Sequence, residues 1–156
     1  MADFVGKVTR SLFFSVGLLW FTMYPGVGRA ADVPAITGHW LTFDDTTGKK
    51  RSIVAISQHN DKLTAVIIQV FFRPGEATRC LKCTGVKHNQ ALVGMEIFSG
   101  LRLYGRVWKG ATILDPENGK EYDCALWFEG DKLTVRGYLF PFFRTQQWVR
   151  YDTPGN

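Results

Sequence analysis

The 156-residue chain is short of three things, and each shortage removes a class of protein. No apolar run is long enough to cross a bilayer as a helix: residues 11–23 (Leu12, Phe13, Phe14, Val16, Leu18, Leu19, Trp20, Phe21 among them) give about thirteen, against the roughly twenty that a span needs. Basic charge is not concentrated. The formal charge is +5, and the longest basic run is Lys49-Lys50-Arg51 in an expected turn, which reads as a solvated hairpin tip rather than a phosphate track. Cysteine is scarce, with Cys80, Cys83 and Cys124 only, an odd count that leaves at least one thiol over. Helical heptads, internal repeats, low-complexity tracts and a Gly-x-Ser-x-Gly elbow are missing as well.

The first thirty residues carry a compartment signal. Lys7 and Arg10 form a basic start, the apolar run follows, Pro25 breaks it, and Gly28-Arg29-Ala30 offers small residues where a signal peptidase reads. Cleavage after Ala30 is expected, leaving about 126 exported residues as one domain with a single core. Loss of Asp3, Lys7, Arg10 and Arg29 lowers the formal charge from +5 to +3. In an oxidising compartment the surviving cysteines pair or stay buried.

From residue 36 onward apolar side chains recur with period two, broken by turn signals every eight to twelve residues, the pattern of an antiparallel all-β domain. Strands are expected at residues 36–43, 51–58 and 63–72, as a meander. Residues 63–72 are apolar on both faces (Leu63, Ala65, Ile67, Phe71 against Val66, Ile68, Val70, Phe72), which predicts cover on both sides. Residues 73–92 lack a strand period and form the main irregular segment, a lid or binding loop. Further strands are expected at 93–98 and about 101–107, separated by Ser99-Gly100, and at 111–114, ending in the strong hairpin signal Asp115-Pro116-Glu117-Asn118-Gly119. Residues 122–129 alternate most cleanly, turning Tyr122, Cys124, Leu126 and Phe128 inward, and Leu133, Val135 and Leu139 continue that face across Gly130-Asp131. The apolar loop Phe140-Pro141-Phe142-Phe143 precedes a last strand at 145–151. Eight or nine such strands suit a small up-and-down β-barrel, which has no exposed edges; a two-sheet sandwich is the alternative.

Gly38-His39-Trp40 on the first strand, with an arginine near the end of the last, is similar to the lipocalin arrangement in which a cation caps a tryptophan at the barrel base. A guanidinium over an indole gains roughly 0.5 to 2 kcal/mol. Trp40 with Arg150 or Arg144 is the candidate closure. More of the chain agrees: Gly38-His39-Trp40-Leu41-Thr42, Gly94-Met95-Glu96-Ile97, residues 113–122 with their Asp-Pro-x-Asn-Gly-Lys-x-Tyr core, Val135-Arg136-Gly137-Tyr138, and Arg144-Thr145-Gln146-Gln147-Trp148-Val149-Arg150. In order and spacing these resemble the bacterial secreted family catalogued as domain of unknown function 2147. The resemblance covers nearly all of residues 31–156 and implies a periplasmic or secreted lipocalin-like barrel of Gram-negative bacteria with no established reaction. The chain departs from the family at Phe143, where members usually carry glycine; the loop is more apolar here.

The reactive candidates are few. Cys80-Leu81-Lys82-Cys83, a pair that a subset of the resembled family carries, can close a small disulfide pinning the long loop; a redox-active pair, or a zinc site recruiting His88 and Cys124, are the other readings. Cys124 alone is most simply a small buried hydrophobe. His39, His59 and His88 fall on a strand, a turn and a loop, and Asp115 and Glu117 flank a proline in a turn, where solvated carboxylates are the default, so catalysis is not expected and no cofactor or metal is required. Aromatics are plentiful, and most fill a core. Phe140, Phe142 and Phe143, with Trp108 and Tyr104, are the candidate ligand contacts. The 140–143 loop could rim the barrel mouth or touch a membrane or partner.

Three functions follow as expectations: a non-catalytic carrier of a small apolar or amphipathic molecule, gated by residues 73–92 and 140–143; a thiol/disulfide redox protein; or an envelope-interaction module that self-associates through the outer face of residues 63–72. Nucleic acid is not an expected partner.

Overall fold

The alternation closes on itself. In the computed structural model, which describes residues 35–152, eight antiparallel strands run in chain order around a closed barrel. They are β1 (Gly38–Phe43), β2 (Lys50–His59), β3 (Lys62–Val70), β4 (Glu96–Tyr104), β5 (Val107–Asp115), β6 (Lys120–Glu129), β7 (Lys132–Leu139) and β8 (Phe142–Arg150). The up-and-down barrel expected from the period-two pattern is therefore the fold, and the sandwich is not. The expected leader and its expected cleavage after Ala30 lie outside the described residues.

Closure is made by the pairs Trp40↔Arg150 and Leu41↔Val149 between β1 and β8. The lower end, where β1 begins and β8 ends, is solid: Trp40, Leu63, Leu101, Leu126 and Leu133 are fully buried there, with Ile56 and Phe98 beside them. Cys124 and Leu126 point into this core as the alternation in residues 122–128 predicts.

Four local readings are corrected. Residues 93–107 hold one strand where two were expected, because Gly100, at φ +94°, is taken up as a bulge: Leu63 pairs Leu101 and Thr64 pairs Ser99, leaving Gly100 between them, and the turn falls at Gly105-Arg106 instead. A second bulge, between Ile53 and Val54 on β2, sets Ile67 opposite Val54 but Gln69 opposite Ile53. The extra residue on β3 reverses its later parity, so Val70 joins Ile67 against the core and not the outer face. Nor is β3 covered on both sides among the described residues: Ile68 and Phe72 are exposed. Finally, β8 begins at Phe142, three residues early, so the 140–143 loop shrinks to a two-residue tip, Phe140-Pro141, joined by a cis peptide bond.

The β4–β5 ladder is short, only Arg102↔Lys109, Leu103↔Trp108 and Tyr104↔Val107. Above it the wall is completed by the segment between β3 and β4, which is not structureless. An Arg79↔Ala91 bridge, a 3-10 turn at Gly85–Lys87 and a Cys80–Cys83 disulfide fold it into a lobe. Cys80, Cys83, Leu92 and Met95 pack with Leu114 of β5 and Val70 of β3 in a second apolar cluster.

The candidate functional site: a blind cavity and its rim

Above the solid lower half the barrel is hollow. A cavity of about 310 Å³ opens at the upper end, near the lower bound of the roughly 300–1,000 Å³ usual for small-molecule sites. Val54, Ile67, Ile97, Val135 and Trp148 line its depth, and Val70, Leu92, Ile113, Leu114 and Tyr122 line its sides. The inward positions are mostly aliphatic, with Trp148 and Tyr122 among them, because they continue the alternation that fills the core below.

The few polar groups inside are already committed. The Ser52 N–H donates to Thr42 Oγ1 (3.1 Å) and the two hydroxyls share a hydrogen bond of 2.7 Å. Tyr122 Oη accepts from Asn118 Nδ2 (2.8 Å), and Gln146 accepts from Trp148 Nε1 (3.1 Å) while donating to Asp45 (2.8 Å). A guest would therefore gain chiefly by removing its own apolar surface from water.

The rim is ionic. Arg51 bridges Glu76 and Glu117, each at 2.7 Å, and ties the lobe to the β5–β6 turn. Arg73 pairs with Asp44 and Glu76, and Arg144 pairs with Asp45 and, at 3.2 Å, Asp115. The Thr47 hydroxyl and N–H, then Arg73, hold the Asp44 carboxyl well below its ordinary range. The Arg73 N–H and Arg51 lower the Glu76 carboxyl as well. Burial alone would lower Arg51 and Arg144, and their carboxylate partners more than offset it, so both stand above the usual guanidinium value. Lys49-Lys50-Arg51 is thus not uniformly a solvated tip: its two lysines are exposed, but Arg51 is held in the rim with its side chain only 19% exposed. Asp115 and Glu117, expected to be solvated, are ion-paired.

The lobe is docked closely. Gly119, at φ +74°, lies against the Lys82–Cys83 peptide, where a Cβ would stand 2.0 Å from the Lys82 carbonyl oxygen. Cys80 Sγ reaches the Pro116 carbonyl at 3.4 Å, His88 Nδ1–H donates to the Cys83 carbonyl at 3.0 Å, and Lys87 pairs with Glu121 at 3.4 Å. With both sulfurs bonded to each other, Cys80 and Cys83 are not ligands for the zinc reading. Cys124 is a separate buried thiol pushed up to about 12 by desolvation, then by Asp123.

The sequence-derived candidates are distributed unevenly. Phe142 and Phe143 line the mouth, while Phe140 projects beyond it at 97% exposure. Trp108 and Tyr104 are not cavity residues: both sit at the lower end, Trp108 packed half-buried on the core and Tyr104 exposed beneath Lys109, whose Nζ is 5.3 Å from the ring. The reading failed there because it placed the 101–107 strand too late, which hid the end of the barrel to which these rings belong. Of the two closure arginines, Arg150 lies over Trp40 at 4.3 Å from its ring and donates to the carbonyls of Thr37 (2.8 Å) and Ala35, while Trp40 Nε1 donates to Ile36 (2.9 Å). Arg144 belongs to the rim at the opposite end. None of His39, His59 and His88 lines the cavity.

A barrel of eight consecutive antiparallel strands, sealed at its base by an arginine-capped tryptophan and hollow above, is lipocalin-like. Consistent with that class, its fold is similar to the solved structure described as "Protein HP1028 from the human pathogen Helicobacter pylori belongs to the lipocalin family", with 20% identity over 76% of this chain and 84% of that one and a TM-score of 0.64. The chain belongs to the family described as "Uncharacterized protein conserved in bacteria (DUF2147)", which it matches over residues 38–150. None of the curated proteins compared with it matches.

Proposed function

We propose that this protein is an exported, non-catalytic carrier that holds a small apolar or amphipathic molecule in the upper cavity of its barrel, in the periplasm of a Gram-negative bacterium or outside it. The carrying observation is the void itself: an aliphatic shaft of about 310 Å³, stopped below by a packed core and ringed above by fixed charges. Apolar walls favour a chain or ring, and the ionic rim accommodates a polar end. Export rests on the basic start, apolar run and Gly28-Arg29-Ala30 of the leader.

The thiol/disulfide alternative is disfavoured by burial, since Cys80 and Cys83 are 0% and 3% exposed within the lobe and offer little approach to an attacking thiolate. A second reading, self-association, draws support from the exposed Ile68 and Phe72 on β3 and the strand's end, and sizing at rising concentration separates it.

Extraction of the purified protein with analysis by mass spectrometry, and displacement of a fluorescent fatty acid, test the carrier. Ile113→Trp enlarges a half-buried wall residue into the void and is expected to weaken binding at least tenfold with little change in melting temperature. Absence of any co-purified or competing small molecule removes the proposal.

A further inference from the structure

The two most exposed large apolar side chains among the described residues, Phe140 and Val86, each 97% exposed, both sit on connections at the mouth end of the barrel. Phe140 crowns the β7–β8 tip with Leu139, Phe142 (75%) and Phe143 also exposed; Val86 lies in the 3-10 turn of the lobe, with Leu81 exposed nearby in sequence. A soluble surface seldom gathers such side chains without a use for them. The tip is convex, a two-residue turn between paired strands, so it fits a yielding apolar medium better than a preformed pocket.

Charge indicates which medium. The β7–β8 tip is flanked in barrel order by the β5–β6 turn on one side and the β1–β2 turn on the other. Those turns, the first residues of the strands that follow them, and the lobe carry Lys49, Lys50, Lys120 and Lys82, all exposed and, among the described residues, joined to no carboxylate in an ion pair. The rim carboxylates Asp44, Asp45, Glu76, Asp115 and Glu117, by contrast, are each paired with a guanidinium, five acids sharing three arginines. The four lysines outnumber the surplus of carboxylates that Arg51, Arg73 and Arg144 leave in the rim. Aromatic rings beside lysines are what a protein presents to the headgroup region of an anionic bilayer, where the rings enter the interface and the ammonium groups meet phosphate.

We infer that the mouth end of this barrel docks on an anionic lipid bilayer, with Phe140 inserted and Lys49, Lys50, Lys82 and Lys120 against the headgroups. Docking in this pose sets the cavity opening on the membrane. It does not depend on the carrier reading, since vesicle binding and ligand displacement in solution are measured separately.

The test is co-flotation of the purified protein, its N-terminus read by mass spectrometry, with vesicles of phosphatidylglycerol mixed into phosphatidylethanolamine and with neutral phosphatidylcholine vesicles. Every variant is compared in the same form of the chain. Wild-type protein is expected to float with the anionic vesicles and to be released by high salt. Phe140→Ser, at a position that does not itself line the cavity, should reduce partitioning roughly tenfold. Lys49→Ala with Lys50→Ala should reduce it roughly twenty-five-fold, at roughly fivefold per lysine. Leu103→Ser, at the closed end, should leave it unchanged. Phe140→Trp should show a blue-shifted emission on adding anionic vesicles. No flotation, equal binding to neutral vesicles, or indifference to Phe140→Ser would each overturn the inference. So would a concentration-dependent dimer that Phe140→Ser dissolves, which would assign the tip to a second copy of this chain.

Discussion

Replacing Gly119 by alanine isolates how the lobe is held to the barrel. Two costs arise. At φ +74° a Cβ is strained by about 1–2 kcal/mol wherever it stands. The second cost is specific to this position: the new methyl would lie 2.0 Å from the Lys82 carbonyl oxygen, 2.3 Å from its carbon and 2.8 Å from the Cys83 nitrogen. These are backbone atoms held by a disulfide, so the lobe as a whole has to lift, loosening the cluster of Cys80, Cys83, Leu92, Met95 and Leu114. Overpacking of this kind typically costs about 1–3 kcal/mol. Together the two amount to about 3 kcal/mol, which for a domain of this size lowers the melting temperature by about 10 °C. Gly48 provides the control, with φ +66° and nothing within 4 Å of where its methyl would stand, so that Gly48→Ala bears the strain alone. Thermal melting followed by circular dichroism compares the pair, and the rate at which dithiothreitol reduces Cys80–Cys83 reports the lifted lobe directly. If Gly119→Ala melts no lower than Gly48→Ala and its disulfide is reduced no faster, the lobe is not seated on that glycine.

Arg150→Met keeps the aliphatic stem but removes the guanidinium over Trp40 and its bonds to Thr37 and Ala35; an expected loss of about 2 kcal/mol should appear as a lower denaturation midpoint at unchanged slope. Arg144→Met, half-exposed in the rim, should cost at most about 1 kcal/mol, and equal losses would refute the assignment of closure to Arg150. Stability should also fall in acid. Asp44 and Glu76 have folded pKa values below their ordinary 3.8 and 4.5, so the stability they contribute is present above those ordinary values and lost as pH drops through the folded ones. Denaturation midpoints should be insensitive to these two groups from pH 7 to about pH 5 and decline below about pH 4, with Asp44→Asn and Glu76→Gln flattening the decline.

The barrel was legible because it rests on a local rule. Alternation in residues 122–128 put Cys124 and Leu126 inside, and Asn118-Gly119 marked its hairpin. What was hidden depended on events that alternation does not encode. A glycine at positive φ serves a turn or a bulge equally well, and Gly100 turned out to be a bulge, which moved Tyr104 and Trp108 to the far end of the barrel. The bulge on β2 and β3 turned Val70 inward in the same way. The rim was invisible for another reason: Arg51 meets Glu76 across 25 residues and Arg144 meets Asp45 across 99, and no period links residues so far apart in sequence. Even the closure arginine was only narrowed to two, since Arg144 and Arg150 differ by which end of β8 they occupy.

A shaft that is stopped at the bottom has one door. On the carrier reading, a guest would enter and leave along the same path. Uptake and delivery cannot take place at opposite ends of this molecule. For a carrier of the proposed kind, both transactions would take place where Phe142, Arg144 and Asp115 stand.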